Sequence, residues 1–382
     1  MTQDGIDTQD ASGPRECSGE PKAFIIILNW NGLHDTLECL TSLAGLQYPR
    51  WQAVVVDNGS DAGQAEAIQT SHPTVTLIRN QKNLGYTGGN NVAIHHAMAQ
   101  GADYIWLLNN DTVVTPDSLS ELVAAGERDP RVGLLSPVLY DYKEPHAIQF
   151  AGTVLDVSHG SATTHKSLEQ PSTLAPGGSL TLWGTALLVK RHVVTSVGYL
   201  NERYFAYHED AEYCLRAAAA GFATRVEPTA VVFHKSARSL GSDGLPIKEY
   251  LMVRNWYLLW MTHLRGWRRC TYPSRYVAWV LDRALNSKRA GRGLVAAHSL
   301  DGAWDALRGH FGPWDQRGVM PGLLRRFLLN GLLSWHPYLW IELLGGEFFH
   351  IGSEAIARLF RRAKRKVPLR ERKPRGRPSS RL

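Results

Sequence analysis

Apolar residues recur along this chain with two periods, and the switch between them marks out its parts. Ala23–Asn29 (AFIIILN) is a short β-branched run, the pattern of a strand buried on both faces. Ala53–Asp57 (AVVVD), Val75–Arg79 and Tyr104–Leu108 (YIWLL) read the same way. Between them the period lengthens. Asp35 to Leu43 places Leu37, Leu40 and Leu43 on one side, and Asn90 to Gln100 reads as a further helix. Pro116 opens another, with Leu119, Leu122 and Val123 at i, i+3 and i+4. Strands alternating with helices predict a mostly parallel α/β sheet.

After Val132 the alternation fades. Ser158 to Gly178 is rich in Ser, Thr, Gly and Pro and reads as a loop or a weak hairpin. Leu187–Lys190 is expected as a strand, Glu209 to Gly221 as a helix ending in glycine, and Ala230–Phe233 as a last strand. Beyond about Gly244 come Trp, Leu and Arg at helical spacing. Leu323 to Ile351 is dense in Leu, Trp and Phe but interrupted by Asn330, His336-Pro337, Glu342 and Glu347, so it reads as interfacial, not spanning. The expected parts are a disordered leader (1–21), an α/β domain (22–243), a helical and partly membrane-interfacial region (244–360) and a basic disordered tail (361–382).

Charge sharpens this division. The 382 residues carry a net +7, yet Arg361 to Leu382 alone holds 11 Lys/Arg against Glu371. Subtracting that tail's +10 leaves the body at −3, so basicity is a property of the tail. An anionic membrane surface suits it, at about 1 kcal/mol per basic residue near the lipid. A nucleic-acid-binding tail is the different-class alternative, but no aromatics interleave with the arginines and no nucleic-acid partner is expected. With 44% hydrophobic and 20% charged residues, wholesale disorder is excluded. Cys17, Cys39, Cys214 and Cys270 show no metal-ligand or disulfide spacing. No apolar signal segment opens the chain, and a cytoplasmic protein peripheral to the inner face of the cell membrane is expected.

Candidate chemistry gathers at the strand ends, where open α/β sheets bind ligands. The four runs finish in Asn29-Trp30-Asn31-Gly32, Asp57-Asn58-Gly59-Ser60, Asn83 to Asn91 (NLGYTGGNN) and Asn109-Asn110-Asp111. Each alone is also what a turn uses; four in order at one sheet edge are harder to assign to turns. No GxGxxG follows the first strand, which argues against a dinucleotide enzyme. Asn109-Asn110-Asp111, a carboxylate beside amide oxygens, suits Mg²⁺ or Mn²⁺ shared with a diphosphate. Tyr207 to Glu212 concentrates three acids and a histidine at a helix start. Helix capping accounts for such acids too, but not for the aromatic lead-in Tyr204 to Tyr207. His234, just past a strand, is a metal ligand or a structural histidine.

These stretches together resemble the family 2 glycosyltransferases of GT-A fold, and more narrowly the bacterial rhamnosyltransferases among them. The matching segments are Ile25–Gly32, Val54–Ser60, Asn83–Asn91, Leu107–Val113, Gly184–Lys190 and Glu209–Arg216, in the family's order. The resemblance implies a GT-A nucleotide-diphospho-sugar transferase fold, Rossmann-like, with a helical, amphipathic C-terminal extension. Asn29, Asn31, Asp57, Asn83, Gly88, Gly89, Asn90, Asn109 and Asn110 would bind the donor nucleotide and its sugar. Asp111 and His234 would hold Mn²⁺ or Mg²⁺; the family's metal motif is Asp-x-Asp, and here Asn109 stands in the first position. Asp210 would be the catalytic base and Glu209 its partner. The implied reaction is an inverting transfer of a sugar from a nucleoside-diphosphate donor, dTDP-rhamnose favoured and UDP-sugars open, to a cell-envelope glycan or lipid-linked acceptor. A sugar nucleotidyltransferase is the enzymatic alternative, although no Gly-rich, Arg/Lys-containing phosphate loop lies near the first strand.

Overall fold

The computed structural model describes residues 19–157, 160–168, 178–235 and 245–332. Residues 1–18 of the leader, the tail and most of the Leu323–Ile351 segment lie outside these residues. Strands β1 (Ala23–Asn29), β2 (Trp51–Asn58), β3 (Thr76–Asn80) and β4 (Tyr104–Asn109) follow the apolar runs. Helices α1 (Leu33–Leu43), α2 (Gln64–Ser71) and α3 (Gly85–Ala99) connect them. All four strands run parallel in the order β3-β2-β1-β4. Period-two alternation explains the double coverage. Ala23, Ile25 and Ile27 of β1 pack with Cys39, Leu40 and Leu43 of α1, while Phe24 and Ile26 pack with Ala93, Ile94 and Ala97 of α3.

The sheet continues through β5 (Thr112–Val114), α4 (Ser118–Arg128), β6 (Val132–Asp141) and β7 (Ile148–Phe150). A small antiparallel sheet of β8 (Thr153–Asp156), β9 (Ser161–Thr164) and β10 (Gly178–Thr181) occupies the Ser/Gly-rich stretch. The chain then re-enters the main sheet as β11 (Ala186–Lys190), followed by α5 (Arg191–Val197), α6 (Glu209–Ala219) and β12 (Ala223–His234). The main path is β3-β2-β1-β4-β11-β6-β12-β5, with β11 and β5 antiparallel to their neighbours and β7 pairing antiparallel with β6 off this path.

Two elements differ from the sequence reading for physical reasons. Ala230–Phe233 is only the end of the 12-residue β12. A register break between Glu227 and Val231 carries Pro228, whose missing N–H a continuous ladder would not accommodate. Helix α3 begins at Gly85, five residues earlier than expected, so the glycine-rich stretch is its first turns and not a loop. Glycine is a poor helix former, but a Cβ on Gly89 would strike Leu28, and one on Gly88 would come within 2.9 Å of Leu84 Cβ. Close helix–sheet contact decides it.

The C-terminal region is helical, as expected: α7 (Leu245–His263), α8 (Gly266–Arg289), α9 (Gly293–Arg308) and the short α10 (Gly322–Arg326), continued by a π-helical turn at Phe327–Leu332. These helices share an apolar core with the α/β domain. Leu155, Tyr204 and Leu215 pack among Val253, Leu259, Trp260, Tyr276 and Leu300. Leu323 and Phe327 stay exposed. No helix among the described residues is long and apolar enough to cross a membrane.

Candidate active site

Parallel register brings the strand ends to one rim, with Asn29 opposite Asp57 and Leu28 opposite Asn109. Asn29 is fully buried and acts as the hub. Its amide donates to Asp57 Oδ1 (3.1 Å), Ser60 Oγ (3.1 Å) and Gln64 Oε1 (3.3 Å), and its oxygen accepts from the Thr36 hydroxyl (2.8 Å). Asn31 adopts φ 54°, and its side-chain oxygen accepts from the Asp61 N–H (2.8 Å) and the Gln64 amide (3.0 Å). Asp57, Ser60, Asp61, Arg79 and Asn80 line an open cleft of about 230 Å³.

Asn58 ties the end of β2 to the start of α3. It donates to Asn83 Oδ1 (3.0 Å) and to the Gly85 carbonyl (3.1 Å), and accepts from the Leu84 N–H (3.1 Å). Asn83 Oδ1 also accepts from the Gly85 N–H (2.7 Å). Gly59 (φ 73°) lets this turn approach, since a Cβ there would meet the Lys82 backbone at 2.6 Å. Gly88 and Gly89 sit in the packed first turns of α3, and the Asn90 amide donates to the Tyr86 carbonyl at 2.8 Å. Their immediate partners are thus protein groups.

At the end of β4, Asn109 is half-buried and the Asn110 amide donates to Thr36 Oγ1 (3.0 Å) and the Gly32 carbonyl (3.3 Å), clamping two strand ends together. Asp111 is buried, and its Oδ1 has no hydrogen-bond partner. Facing it at 3.4 Å is His234 Nε2. Strand β12 positions this histidine, since His234 pairs in register with Thr112. Gln149 donates to Asp141 (2.7 Å) and to the His234 carbonyl (3.0 Å), so its Oε1 is the atom 3.0 Å from His234 Nδ1. Nδ1 therefore carries a proton, and Nε2 faces a carboxylate oxygen that has no hydrogen-bond partner. An imidazole nitrogen and a carboxylate oxygen facing one another at a strand end fit a divalent cation.

The acid pair opens α6. Asp210 Oδ2 accepts from the Gly184 N–H (2.8 Å) and Oδ1 from the Ala211 N–H (2.7 Å). Burial raises the Asp210 pKa in spite of these two bonds. Glu209 is buried with Oε2 unpartnered; burial, and after it the charge of Asp210, hold its pKa well above the ordinary carboxylate range. His208, just before them, is pushed down to about 4 by burial, with a hydrogen bond to the Met252 backbone opposing, so its ring is neutral at neutral pH. Phe205 (φ 64°), Tyr207 (φ 72°) and His208 (φ 69°) are all left-handed, at a cost of about 1–3 kcal/mol each.

Gly184 and Thr185 join the motifs. Gly184 donates to Asp210, its carbonyl accepts from the Tyr86 hydroxyl (2.6 Å), and the Thr185 carbonyl accepts from the Asn109 N–H (2.9 Å). A Cβ on Gly184 would meet the Tyr86 oxygen at 2.7 Å, which explains the glycine. From sequence alone Gly184–Lys190 is only a matching segment, and Asn58, Tyr86, Gly184 and Gln149 carry no role. Their partners are distant in the chain, so periodicity carries no trace of them. His34, Asp35 and Glu38 form a second cluster with metal-ligand spacing on α1, but Lys235 Nζ lies 2.6 Å from both Asp35 and Glu38 and already engages the two carboxylates.

A mostly parallel α/β sheet thus gathers amides and carboxylates at its strand ends and joins them to a buried acid pair. The chain belongs to the glycosyltransferase family 2: residues 21–244 match the family described as Glycosyltransferase like family 2. It is 30% identical over 263 residues to the uncharacterized protein y4gI of Sinorhizobium fredii, covering 64% of this chain and 28% of that one. It is 31% identical over 211 residues to the N-acetylglucosaminyl-diphospho-decaprenol L-rhamnosyltransferase of Mycobacterium tuberculosis, covering 50% and 68%. Among solved structures, the mannosyltransferase PcManGT from Pyrobaculum calidifontis, in complex with GDP-Man and Mn2+, is similar with a TM-score of 0.49 and 16% identity, over 78% of this chain and 89% of that chain.

Proposed function

We propose that this chain is an inverting, metal-dependent glycosyltransferase that moves a sugar, with rhamnose favoured, from a nucleoside-diphosphate donor to a hydroxyl of a lipid-linked or cell-envelope glycan acceptor. The carrying observation is the Gly184–Thr185 joint, which links the Asp210 carboxylate to the end of β4. The nucleotide lies in the cleft lined by Asp57, Ser60 and Asp61, whose rim Asn29, Asn31 and Asn83 brace from behind. Asp111 and His234 would hold Mn²⁺ or Mg²⁺, which when bound offsets the charge of the departing diphosphate.

Asp210 accepts the proton of the acceptor hydroxyl. As that proton leaves, an oxygen lone pair forms the new bond to the anomeric carbon, and the bond to the diphosphate oxygen breaks with its electrons. A single base and a single displacement invert the anomeric configuration. The raised Asp210 pKa favours proton acceptance nearer neutral pH than an ordinary aspartate allows. Glu209, its pKa raised by burial and by the charge of Asp210, orients the acceptor. The L-rhamnosyltransferase relative supports rhamnose as the sugar and a lipid-linked acceptor. Exposed Leu323 and Phe327, with the basic residues 361–382, support a peripheral seat on an anionic membrane surface at the cytoplasmic face. The test is release of nucleoside diphosphate from dTDP-rhamnose and from a UDP-sugar panel, with and without Mn²⁺. Release from dTDP-rhamnose that needs Mn²⁺ is expected; no release from any donor refutes the reading.

A further inference from the structure

We propose that Arg254 and Asn255 of α7 are positioning residues for the acid pair: they hold the Tyr204–His208 loop, and through it fix where Asp210 meets the acceptor. This rests on Asp210 being the base. The loop enters α6 through three left-handed non-glycine residues, a shape that persists only when its surroundings impose it.

Those surroundings come from α7. Asn255 Nδ2 reaches three loop carbonyls, those of Tyr204 (2.8 Å), Ala206 (2.7 Å) and Tyr207 (2.9 Å). Arg254 Nη2 donates to the Tyr204 carbonyl (2.9 Å), and its Nη1 to the Gly312 carbonyl (2.8 Å). Arg254 Nε also donates to Asn255 Oδ1 at 2.9 Å. That bond sets the amide orientation, since the oxygen is taken and the NH₂ must face the loop. Both side chains are almost completely buried. Opposite them, the Thr87 N–H donates to the Phe205 carbonyl (3.1 Å), and Gly85 leaves room for that residue. Behind the clamp α7 is itself held: Gly302 allows α9 to approach the Tyr250 backbone, and the Tyr276 hydroxyl donates to the Val253 carbonyl (2.9 Å). The helical region is in this way part of the catalytic apparatus.

Asn255→Leu and Arg254→Lys in the full chain test this. Two readouts are taken: hydrogen exchange of the 201–208 backbone, and Mn²⁺-supported hydrolysis of dTDP-rhamnose with donor KM. For Asn255→Leu the loop should exchange faster while β1 and β2 do not, and kcat should fall about 10²-fold, the scale of a misplacement near 1 Å. Donor KM should stay within about twofold, separating positioning from donor binding. Arg254→Lys keeps a charge but loses the bond to Asn255, so a smaller change in both readouts is expected, and it decides the matter if Asn255→Leu does not fold. A lower melting temperature with unchanged kcat, or a lower kcat with unchanged loop exchange, overturns the proposal. Wild-type protein that turns over no nucleotide sugar would instead sink the transferase reading, and the loop exchange alone would then decide whether the clamp exists.

Discussion

Replacing Asp210 with Asn separates a base from a helix cap. Both carboxylate oxygens accept backbone N–H groups, Oδ2 from Gly184 and Oδ1 from Ala211. An asparagine has only one oxygen, so whichever way its amide turns, one N–H loses its acceptor and faces a donor. Leaving a buried polar group unmatched costs about 1–3 kcal/mol. Against this, the variant no longer buries a charge, and the raised pKa shows that dehydration outweighs the two N–H bonds for the ionised form. The net loss of stability should fall below that range, well inside the roughly 5–15 kcal/mol that folded domains hold. The rate effect should be larger. A lost general base lowers kcat by about 10²–10⁴-fold, which at 1.36 kcal/mol per tenfold is about 2.7–5.4 kcal/mol in the barrier. Nucleoside-diphosphate release, calorimetric binding of dTDP with Mn²⁺ and a thermal melt on one preparation give all three quantities. Folded Asp210→Asn that binds dTDP and turns over at the wild-type rate would refute the base assignment. If Glu209→Gln proved to be the dead variant, the base would move by one residue and the reaction class would stand.

For the metal pair, wild-type protein with the dTDP–Mn²⁺ complex near 100 times its Kd should gain about 2.7 kcal/mol of apparent stability. Asp111→Ala should lose the Mn²⁺-dependent part of that gain, and an unchanged gain removes the assignment. Gly85→Ala forces an alanine to φ 74° and drives its Cβ into the Phe205 carbonyl; strain alone costs about 1–2 kcal/mol, so wild-type melting would contradict the packing described. Because the Glu209 pKa is raised above the ordinary 4.5, the folded state keeps a proton that the unfolded chain releases as pH rises through that value, and stability falls. Glu209→Gln should therefore melt higher than wild type at pH 8, with the advantage gone at pH 4; a pH-independent difference would count against it. Deleting residues 361–382 should weaken binding to phosphatidylserine vesicles in a salt-sensitive way without slowing dTDP-rhamnose hydrolysis, and salt-insensitive binding would exclude an electrostatic anchor.

What could be read from the sequence is what local chemistry imposes. Buried strands need continuous apolar runs, so AFIIILN, AVVVD and YIWLL announce the parallel sheet, and Asn29, Asp57, Asn109 and Asp111 follow because strand ends in such a sheet share one rim. Other features lie beyond that reach because their causes are distant in the chain. Gly89 stands inside α3 because Leu28 of β1 leaves no room for a Cβ, and β12 runs through Pro228 only because a register break absorbs it. The orientation of His234 depends on Gln149, 85 residues away. Most of all, Arg254 and Asn255 read simply as polar residues on an amphipathic helix. Folding turns them onto the carbonyls of the Tyr204–His208 loop some 50 residues earlier, with separations of 48 to 51 for the Asn255 and Tyr204 bonds. Period and composition record which face of an element is buried, whereas a hydrogen bond between segments is recorded by neither of its ends, and only the packed chain reveals it.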